Sequence, residues 1–189
     1  MKRAGFVLAG GNSTRMGRNK ALLPFGEGVL VAHVARVVAE AAGSAVLIGA
    51  PETYTHLGYP VIADHTPGVG PLGGIETALS CTAADWNLVL ACDMPDVSAA
   101  FLRDLLDAAE DLGVDALIPA GPSGRAEPLS AVYHRRLAGP VRQALDAGVR
   151  KVMDALAGCR VHIRMVNDAA WFRNLNTPEE WDSYRHDAH

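Results

Sequence analysis

Short apolar segments alternate with helical repeats along the first two thirds of this chain. Runs of three to six mostly apolar residues predict buried strands at Ala4–Leu8, Ala45–Ile48, Val61–Ala63, Trp86–Ala91 and Ala116–Ile118. Apolar positions with helical spacing predict the intervening helices, which are Val29–Ala42, a helix from the Pro67–Gly74 loop to about Thr82, and one that Ser98 caps and Gly113 ends. The pattern therefore alternates strand and helix.

The last third of the chain is less regular. Its predicted elements are a strand at Pro128–Tyr133, helices at about 137–147 and 149–157, a half-exposed strand at Arg160–Val166, and a last helix opened by the capping box Thr177–Glu180. The tail at 186–189 is expected to fray.

Strand–helix alternation predicts a mostly parallel sheet that is covered by helices on both faces. At 189 residues, the chain fits one domain spanning 1–189, a Rossmann-like three-layer α/β sandwich. Ligands of such sheets bind beyond the carboxyl ends of the strands. Three loops that follow the carboxyl ends of predicted strands carry glycines or charged side chains: Ala9–Lys20, Asp64–Gly74 and Cys92–Pro95.

Charge, hydropathy and cysteine spacing argue against several kinds of partner and site. The net charge of −4 argues against a broad nucleic-acid surface, so anion binding must be local. No apolar stretch reaches ~18 residues, and no signal peptide precedes the first strand, so we expect a cytoplasmic protein without a membrane partner. The three cysteines are far apart and form no C-x-x-C pair, which predicts small buried residues rather than disulfides or a zinc site.

The loop after the first strand combines glycines with two cations. Its glycines let backbone N–H groups approach a phosphate, while Arg15 and Lys20 supply positive charge. The loop is not a P-loop, because no G-K-[ST] follows a correctly spaced glycine. The alternative is an ordinary mobile loop with solvated basic residues.

A second glycine-rich segment follows the third strand. Gly68–Gly73 matches G-x-G-x-x-G, but as a dinucleotide fingerprint it is weak, because it lies in the loop of the third strand and Asp64–Pro67 separate it from the end of that strand. A glycine-lined wall against a purine is the better interpretation. Asp64, just before this wall, could accept from guanine N1–H and N2–H together, or it could simply cap a turn.

Asp93 follows the clearest buried strand. A carboxylate in that position is costly unless a metal or a partner compensates it. Mg²⁺ takes one or two carboxylates together with phosphate oxygens, so Asp93 is the candidate metal ligand. The alternative is an Asp-x-Pro turn that begins at Asp93.

Several of these segments, in this order and spacing, resemble the MobA-type molybdenum cofactor guanylyltransferase family, which has the nucleoside-diphospho-sugar-transferase fold. The matching segments are LAGG-NSTRMGRNK-ALL at the amino end, GPLGGI (Gly70–Ile75), ACDMP (Ala91–Pro95), RKVMDAL (Arg150–Leu156) and NLNTPEE (Asn174–Glu180). LAGG alone marks only the superfamily, whereas its combination with GPLGGI and NLNTPEE is much more selective. The resemblance extends from about Phe6 to Trp181.

The resemblance implies a set of site residues. Catalytic roles fall to Lys20, Arg15 and Asp93, with Asp93 holding Mg²⁺. The nucleotide site comprises Leu8, Ala9, Gly10, Gly11, Lys20, Gly49, Asp64, Gly73 and Asp93. On the acceptor side the resemblance places Arg150, Lys151, Asn174 and Asn176. Gly49 departs from relatives that carry Asn there, so its role must be through the backbone.

The activity implied by the resemblance is transfer of GMP from GTP to the terminal phosphate of molybdenum-molybdopterin, with release of pyrophosphate. Residues 1–115 would bind the nucleotide and 116–181 the acceptor. Molybdenum-insertion proteins and molybdoenzyme chaperones are the implied partners. The alternatives are a relative that uses CTP or a sugar-phosphate acceptor, and a regulator that binds GTP without turnover.

Overall fold

The computed structural model describes residues 2–10, 19–168, 170–175, 180–181 and 183–184. The strands within these residues are β1 (Arg3–Leu8), β2 (Pro24–Phe25), β3 (Gly28–Val29), β4 (Val46–Ile48), β5 (Val61–Ile62), β6 (Trp86–Ala91), β7 (Ala116–Ala120), β8 (Ser130–His134) and β9 (Val161–Met165). The helices are α1 (Leu30–Ala42), α2 (Pro51–Tyr54), α3 (Pro71–Cys81), α4 (Ala99–Leu112), α5 (Ala138–Asp146) and α6 (Val152–Ala155). The capping box at Thr177 and the tail at 186–189 lie outside the described residues.

Seven strands form one sheet in the order β5-β4-β1-β6-β8-β7-β9, and β2 pairs with β3 in a separate hairpin. Every neighbouring pair in the large sheet is parallel except those of β8, which runs antiparallel to both β6 and β7. The predicted mostly parallel sheet is therefore confirmed. Because β8 alone is reversed, the carboxyl ends of β1, β4, β5, β6, β7 and β9 all lie at one edge.

Helices cover both faces of the sheet. Alternating side chains of β1 enter two separate cores: Val7 packs with residues of α1 and α4, whereas Phe6 and Leu8 pack with residues of α3 and α5. The central strands β6 and β7 are buried on both faces, as expected for a sheet between helical layers, whereas the edge strand β9 is half exposed as predicted. The predicted single-domain, three-layer α/β sandwich is confirmed.

The predicted caps of the long helices are present. The hydroxyl of Ser98 accepts a hydrogen bond from the Phe101 N–H at 3.2 Å and so begins α4. Gly43 and Gly113 follow α1 and α4 with φ of 80° and 59°, the left-handed conformation that glycine adopts without a steric penalty. Local sequence therefore determines where these helices begin and end.

Some elements were not predicted. The β2–β3 hairpin and the single turn of α2 are too short to produce a hydrophobic period. β8 begins at Ser130 rather than Pro128, because residues 128–129 form a turn in which the Glu127 carbonyl accepts from the Ser130 N–H at 3.0 Å. The described helices include none with the length and apolar character that crossing a membrane requires.

The prediction of small buried cysteines is wrong for one of the three. Cys81 is exposed, whereas Cys92 and Cys159 are partly buried. Cys81 is the last residue of α3, where the helix no longer presents its buried face to the sheet.

Candidate active site

The site lies beside β1, at the point where the order of the strands in the sheet reverses. β4 and β5 follow on one side of β1, whereas β6 and the later strands follow on the other side. In open α/β sheets such a switch point opens a crevice at the carboxyl ends of the strands, and ligands bind there. The loops that follow β1 and β6 border this crevice.

An ion pair joins these two loops. Lys20 Nζ donates to Asp93 Oδ2 at 2.9 Å, and the two side chains are only 12% and 23% exposed. Lys20 begins a 3₁₀ turn that is fixed by Asn19, whose Oδ1 accepts from the Ala21 N–H at 3.1 Å. The fold therefore places the predicted phosphate-binding cation directly on the predicted metal ligand, 73 positions away in sequence.

Tyr54 supports the first loop and was missed by sequence reasoning. Its hydroxyl donates to the Ala9 carbonyl at 2.8 Å and accepts from Asn19 Nδ2 at 3.0 Å. Burial raises the pKa of Tyr54. A Cβ at Gly49 would lie 2.8 Å from the Tyr54 ring, and the Gly49 N–H already donates to the Ile62 carbonyl. Gly49 thus makes room for Tyr54.

Asp64 follows β5 at the same edge of the sheet. Its Oδ1 accepts from the Thr66 N–H at 2.9 Å and from the Thr77 hydroxyl at 3.3 Å. The turn-capping role is therefore present, but it involves one carboxylate oxygen only. These bonds orient the Asp64 side chain and do not use Oδ2, so the base-reading hypothesis stays compatible with the geometry.

The glycines at the start of α3 serve close packing. A Cβ at Gly73 would lie 2.6 Å from Thr66 Oγ1, and one at Gly74 would lie 3.0 Å from a methyl group of Leu8. Protein atoms thus fill the space expected for a purine beside Gly73, so a base could contact Gly73 only through its main chain. Gly70, with φ of 87°, has open space where a side chain would project.

The carboxyl-terminal segment reaches Asp93 from the other side. The Leu175 N–H donates to the Asp93 carbonyl at 3.1 Å, so Asn174 lies beside the Lys20–Asp93 pair. Asn174 Oδ1 is buried without a hydrogen-bond partner in the described part of the chain. A bound ligand would relieve this orphaned acceptor, because a buried polar atom without a partner is costly.

Arg150 and Lys151 are not brought into this cluster. They lie in the connection between α5 and α6, where Arg150 Nη1 donates to the carbonyls of Leu145 and Val149 at 3.2 and 2.9 Å. Lys151 is exposed at the start of α6. Gly11, Arg15 and Asn176, the other predicted site residues, lie outside the described residues.

Glu127 is a further carboxylate at this edge that sequence reasoning missed. The Ala91 N–H donates to the Leu129 carbonyl at 2.8 Å, which aligns the segment before β8 with the end of β6. Burial raises the pKa of Glu127; the Arg125 charge opposes this shift, and the Asp93 charge adds to it. An isolated Glu in a loop carries no sequence signal, so only the antiparallel pairing reveals it.

Asp93 offers a divalent metal one carboxylate rather than a complete set of protein ligands. Among the described residues, no three His, Cys, Asp or Glu side chains form a group that could hold a metal ion by themselves. Mg²⁺ commonly binds through one or two carboxylates and completes its octahedron with phosphate oxygens and water. Asp93 fits a metal that binds together with a nucleotide, and it does not fit an all-protein cage.

Taken together, these features define a class of protein. A mostly parallel α/β sheet carries a lysine and a carboxylate at its switch point, an arrangement that suits an enzyme acting on the phosphates of a nucleotide. Residues 5–161 match the MobA-like NTP transferase domain family. The chain belongs to this family and is a nucleotidyltransferase.

Relatives that match nearly the whole chain carry one name. The chain is 34% identical over 190 residues to a protein of Bacillus mycoides named "probable molybdenum cofactor guanylyltransferase", covering 95% of this chain and 94% of the relative. A protein of Carboxydothermus hydrogenoformans with the same name is 33% identical over 183 residues, covering 93% and 91%. The crystal structure of molybdopterin-guanine dinucleotide biosynthesis protein A from Archaeoglobus fulgidus is similar with a TM-score of 0.84 at 27% identity, covering 98% of each chain.

Proposed function

We propose that this chain transfers GMP from GTP to the terminal phosphate of molybdenum-molybdopterin and releases pyrophosphate. The observation that carries the proposal is the Lys20–Asp93 pair at the switch point of a MobA-like domain. The names of the relatives at 33–34% identity support GTP and a molybdenum cofactor as substrates and favour GTP over CTP. The product is the guanine dinucleotide form of the cofactor.

The reaction is an in-line substitution at phosphorus. A terminal phosphate oxygen of the acceptor bonds to the α-phosphorus of GTP, and the bond from that phosphorus to the bridging oxygen breaks, so pyrophosphate leaves. A phosphate monoester has a second pKa of about 6 and is mostly dianionic at neutral pH, so no general base is required. What the protein must provide is alignment and charge neutralisation of two converging anions.

Each part of the site has a proposed role. Lys20 neutralises the phosphates, assisted by Arg15 and the backbone amides of the loop that begins with Ala9 and Gly10. Asp93 would hold Mg²⁺, which supplies positive charge to the phosphate oxygens when it is bound. The partly buried Lys20–Asp93 pair would hold both side chains in place before the nucleotide arrives.

The acceptor is proposed to bind on the side of the later strands. Asn174, which has an orphaned side-chain oxygen and precedes the residue that bonds to the Asp93 carbonyl, is the residue that the geometry supports best. Asn176 follows two positions later, while Arg150 and Lys151 would contact the acceptor only from the α5–α6 connection. On this proposal residues 1–115 bind the nucleotide and 116–181 bind the acceptor, in the cytoplasm.

Base choice tests the proposal. Purified protein with molybdenum-loaded molybdopterin is assayed for pyrophosphate release with GTP, ATP, CTP, UTP and inosine triphosphate. Turnover is expected with GTP, with inosine triphosphate a poorer substrate because it lacks the N2 amine. Asp64→Ala should reduce the preference for GTP over the other nucleotides by roughly tenfold. Without the carboxylate, the guanine N1–H and N2–H donors would be buried and unpaired, at a cost of ~1–3 kcal/mol each.

The controls separate the alternatives. Asp111→Ala, at an exposed carboxylate near the end of α4, should keep the wild-type preference. Equal use of CTP by the wild type would support a cytidylyl enzyme. GTP binding without pyrophosphate release would support a regulator. Full preference for GTP over inosine triphosphate in Asp64→Ala would remove Asp64 as the base reader.

A further inference from the structure

Three side chains form a linked group where α3 meets the loop after β5. Cys81 Sγ lies 3.7 Å from His65 Nε2, and the other ring nitrogen of His65, Nδ1, lies 3.7 Å from Glu76 Oε2. Cys81 is exposed, and the side chain of His65 is 45% exposed. The order thiol, imidazole, carboxylate is one in which a histidine can take the thiol proton while the carboxylate orients the ring.

Glu76 is the observation that distinguishes this group from a chance contact. The residue is only 3% exposed, and its Oε1 accepts from the Ser80 hydroxyl at 2.7 Å. Its Oε2 is buried and has no hydrogen-bond partner in the described part of the chain. A buried carboxylate is costly unless it is compensated. The imidazole of His65, whose Nδ1 lies 3.7 Å from Oε2, is the group placed to compensate this carboxylate.

The backbone holds the imidazole beside the thiol. The His65 N–H donates to Thr77 Oγ1 at 3.0 Å, and Thr77 is fully buried one helical turn before Cys81. The same hydroxyl donates to Asp64 Oδ1 at 3.3 Å. These two hydrogen bonds fasten the loop after β5 to α3. The position of His65 is therefore set by its backbone and does not require contacts of its half-exposed ring.

We propose that Cys81 is a site of reversible thiol modification, at which His65 and Glu76 activate the sulfur toward small disulfides. His65 Nε2 takes the proton from Cys81 Sγ, and the resulting thiolate attacks one sulfur of the disulfide. The bond between the two disulfide sulfurs breaks as a bond from Cys81 to the attacked sulfur forms. The second half leaves as a thiolate and takes up a proton from solvent or from His65.

The fold makes this reactivity depend on His65. α3 ends at Cys81, and the carbonyl groups at a helix C-terminus disfavour negative charge. A thiolate there therefore requires the neighbouring imidazolium. The other two cysteines provide internal references, because burial raises the pKa of Cys92 to about 12 and also raises the pKa of Cys159.

The experiment follows adduct formation with oxidised glutathione on the folded full-length protein. Samples are quenched by alkylation, and mass spectrometry of peptides gives the rate at each cysteine. Cys81 is expected to react at least about tenfold faster than Cys92 or Cys159, and dithiothreitol should reverse the adduct.

His65→Ala should slow adduct formation at Cys81 by about tenfold. His162→Ala is the matched control, because it removes an exposed imidazole at β9, the opposite edge of the sheet from β5.

Two results would overturn the proposal. One is a first adduct at Cys92 or Cys159 in the wild type. The other is a Cys81 rate in His65→Ala that stays within about twofold of the His162→Ala rate. Glu76→Gln is expected to slow Cys81 less than His65→Ala does. Its circular dichroism is compared with wild type, because Glu76 is buried, and if that variant unfolds the half-exposed His65 still decides the question.

Discussion

The Lys20–Asp93 pair shows what a single contact contributes at the residue scale. Each side chain is mostly buried, and the pair bridges the loops that follow β1 and β6. On the proposed function, incoming phosphates would meet a cation already positioned by its turn and a carboxylate already positioned at the end of its strand. Such preorganisation is more effective than flexible charges, because no reorganisation is needed during the reaction.

Asp93→Asn should fold normally and lose most turnover. The amide keeps the shape of the side chain but removes the negative charge proposed to hold the metal. The activation barrier should therefore rise by about 2–4 kcal/mol, as for other single electrostatic elements, and kcat should fall accordingly. Pyrophosphate release from GTP and molybdopterin measures the effect. Asp85→Asn, at the other end of β6 where Asp85 pairs with Arg135, is the matched control and should retain activity. Activity of Asp93→Asn within about threefold of wild type would contradict the proposed role.

At the element scale, β1 and α4 are fastened together by charged side chains as well as by the apolar core. Arg3 on β1 donates to Glu110 Oε1 at 2.9 Å and Oε2 at 2.8 Å, and it also reaches Asp107 at 2.7 Å. The hydrogen bonds from Arg3 lower the pKa of Glu110. A bidentate pair of this kind fixes the orientation of a helix on a strand.

Glu110→Gln should lower the free energy of unfolding at pH 7 by about 1 kcal/mol, a value limited by solvent screening at the partly exposed pair. Because the folded-state pKa of Glu110 is depressed, its contribution is present above the unfolded pKa of about 4.3 and is lost as pH falls through the folded value. Urea unfolding at pH 7 and pH 3 measures the difference, which should shrink at pH 3.

The control for this pair is Asp146→Asn. Its partner Arg142 lies one turn away on α5, and both side chains are more than half exposed, so little change is expected at either pH. An equal loss for Glu110→Gln at pH 7 and pH 3 would show that the effect is not the charge of Glu110.

At the scale of the whole molecule, the sheet joins two parts of different proposed function. β1, β4, β5 and β6 carry the proposed nucleotide site, whereas β7, β8 and β9 belong to the proposed acceptor part. β6 and β8 pair along their whole length, and the Leu175 N–H donates to the Asp93 carbonyl. The two parts therefore share one rigid edge at which the substrates would meet.

Hydrogen exchange can test this division. GTP alone should protect backbone amides in the loops after β1, β4, β5 and β6, while molybdopterin alone should protect amides within 116–181. The Leu175 amide should respond to both, because it is bonded to Asp93. Protection by GTP that is confined to 116–181 would contradict the proposed arrangement. Mass spectrometry of peptides on the same preparation compares the two ligands directly.

The sequence by itself determined most elements and the class of fold. The strand at Trp86–Ala91 was predicted with its observed bounds, and the ends of α1 and α4 follow from Gly43, Ser98 and Gly113. These features are local, since the periodicity of apolar positions and the conformation of a cap depend on neighbouring residues. The resemblance also identified the family that the comparisons confirm.

Only the tertiary structure decided which distant residues meet. Lys20 and Asp93 were predicted separately, and their contact depends on β1 and β6 being adjacent in the sheet. Tyr54 lies where Gly49 leaves space, and Cys81 is exposed beside His65; neither fact has a signature in the local sequence. Hydrophobic periodicity records which face of an element is buried, but it does not record which element covers that face. That choice is made by the packing of the whole chain.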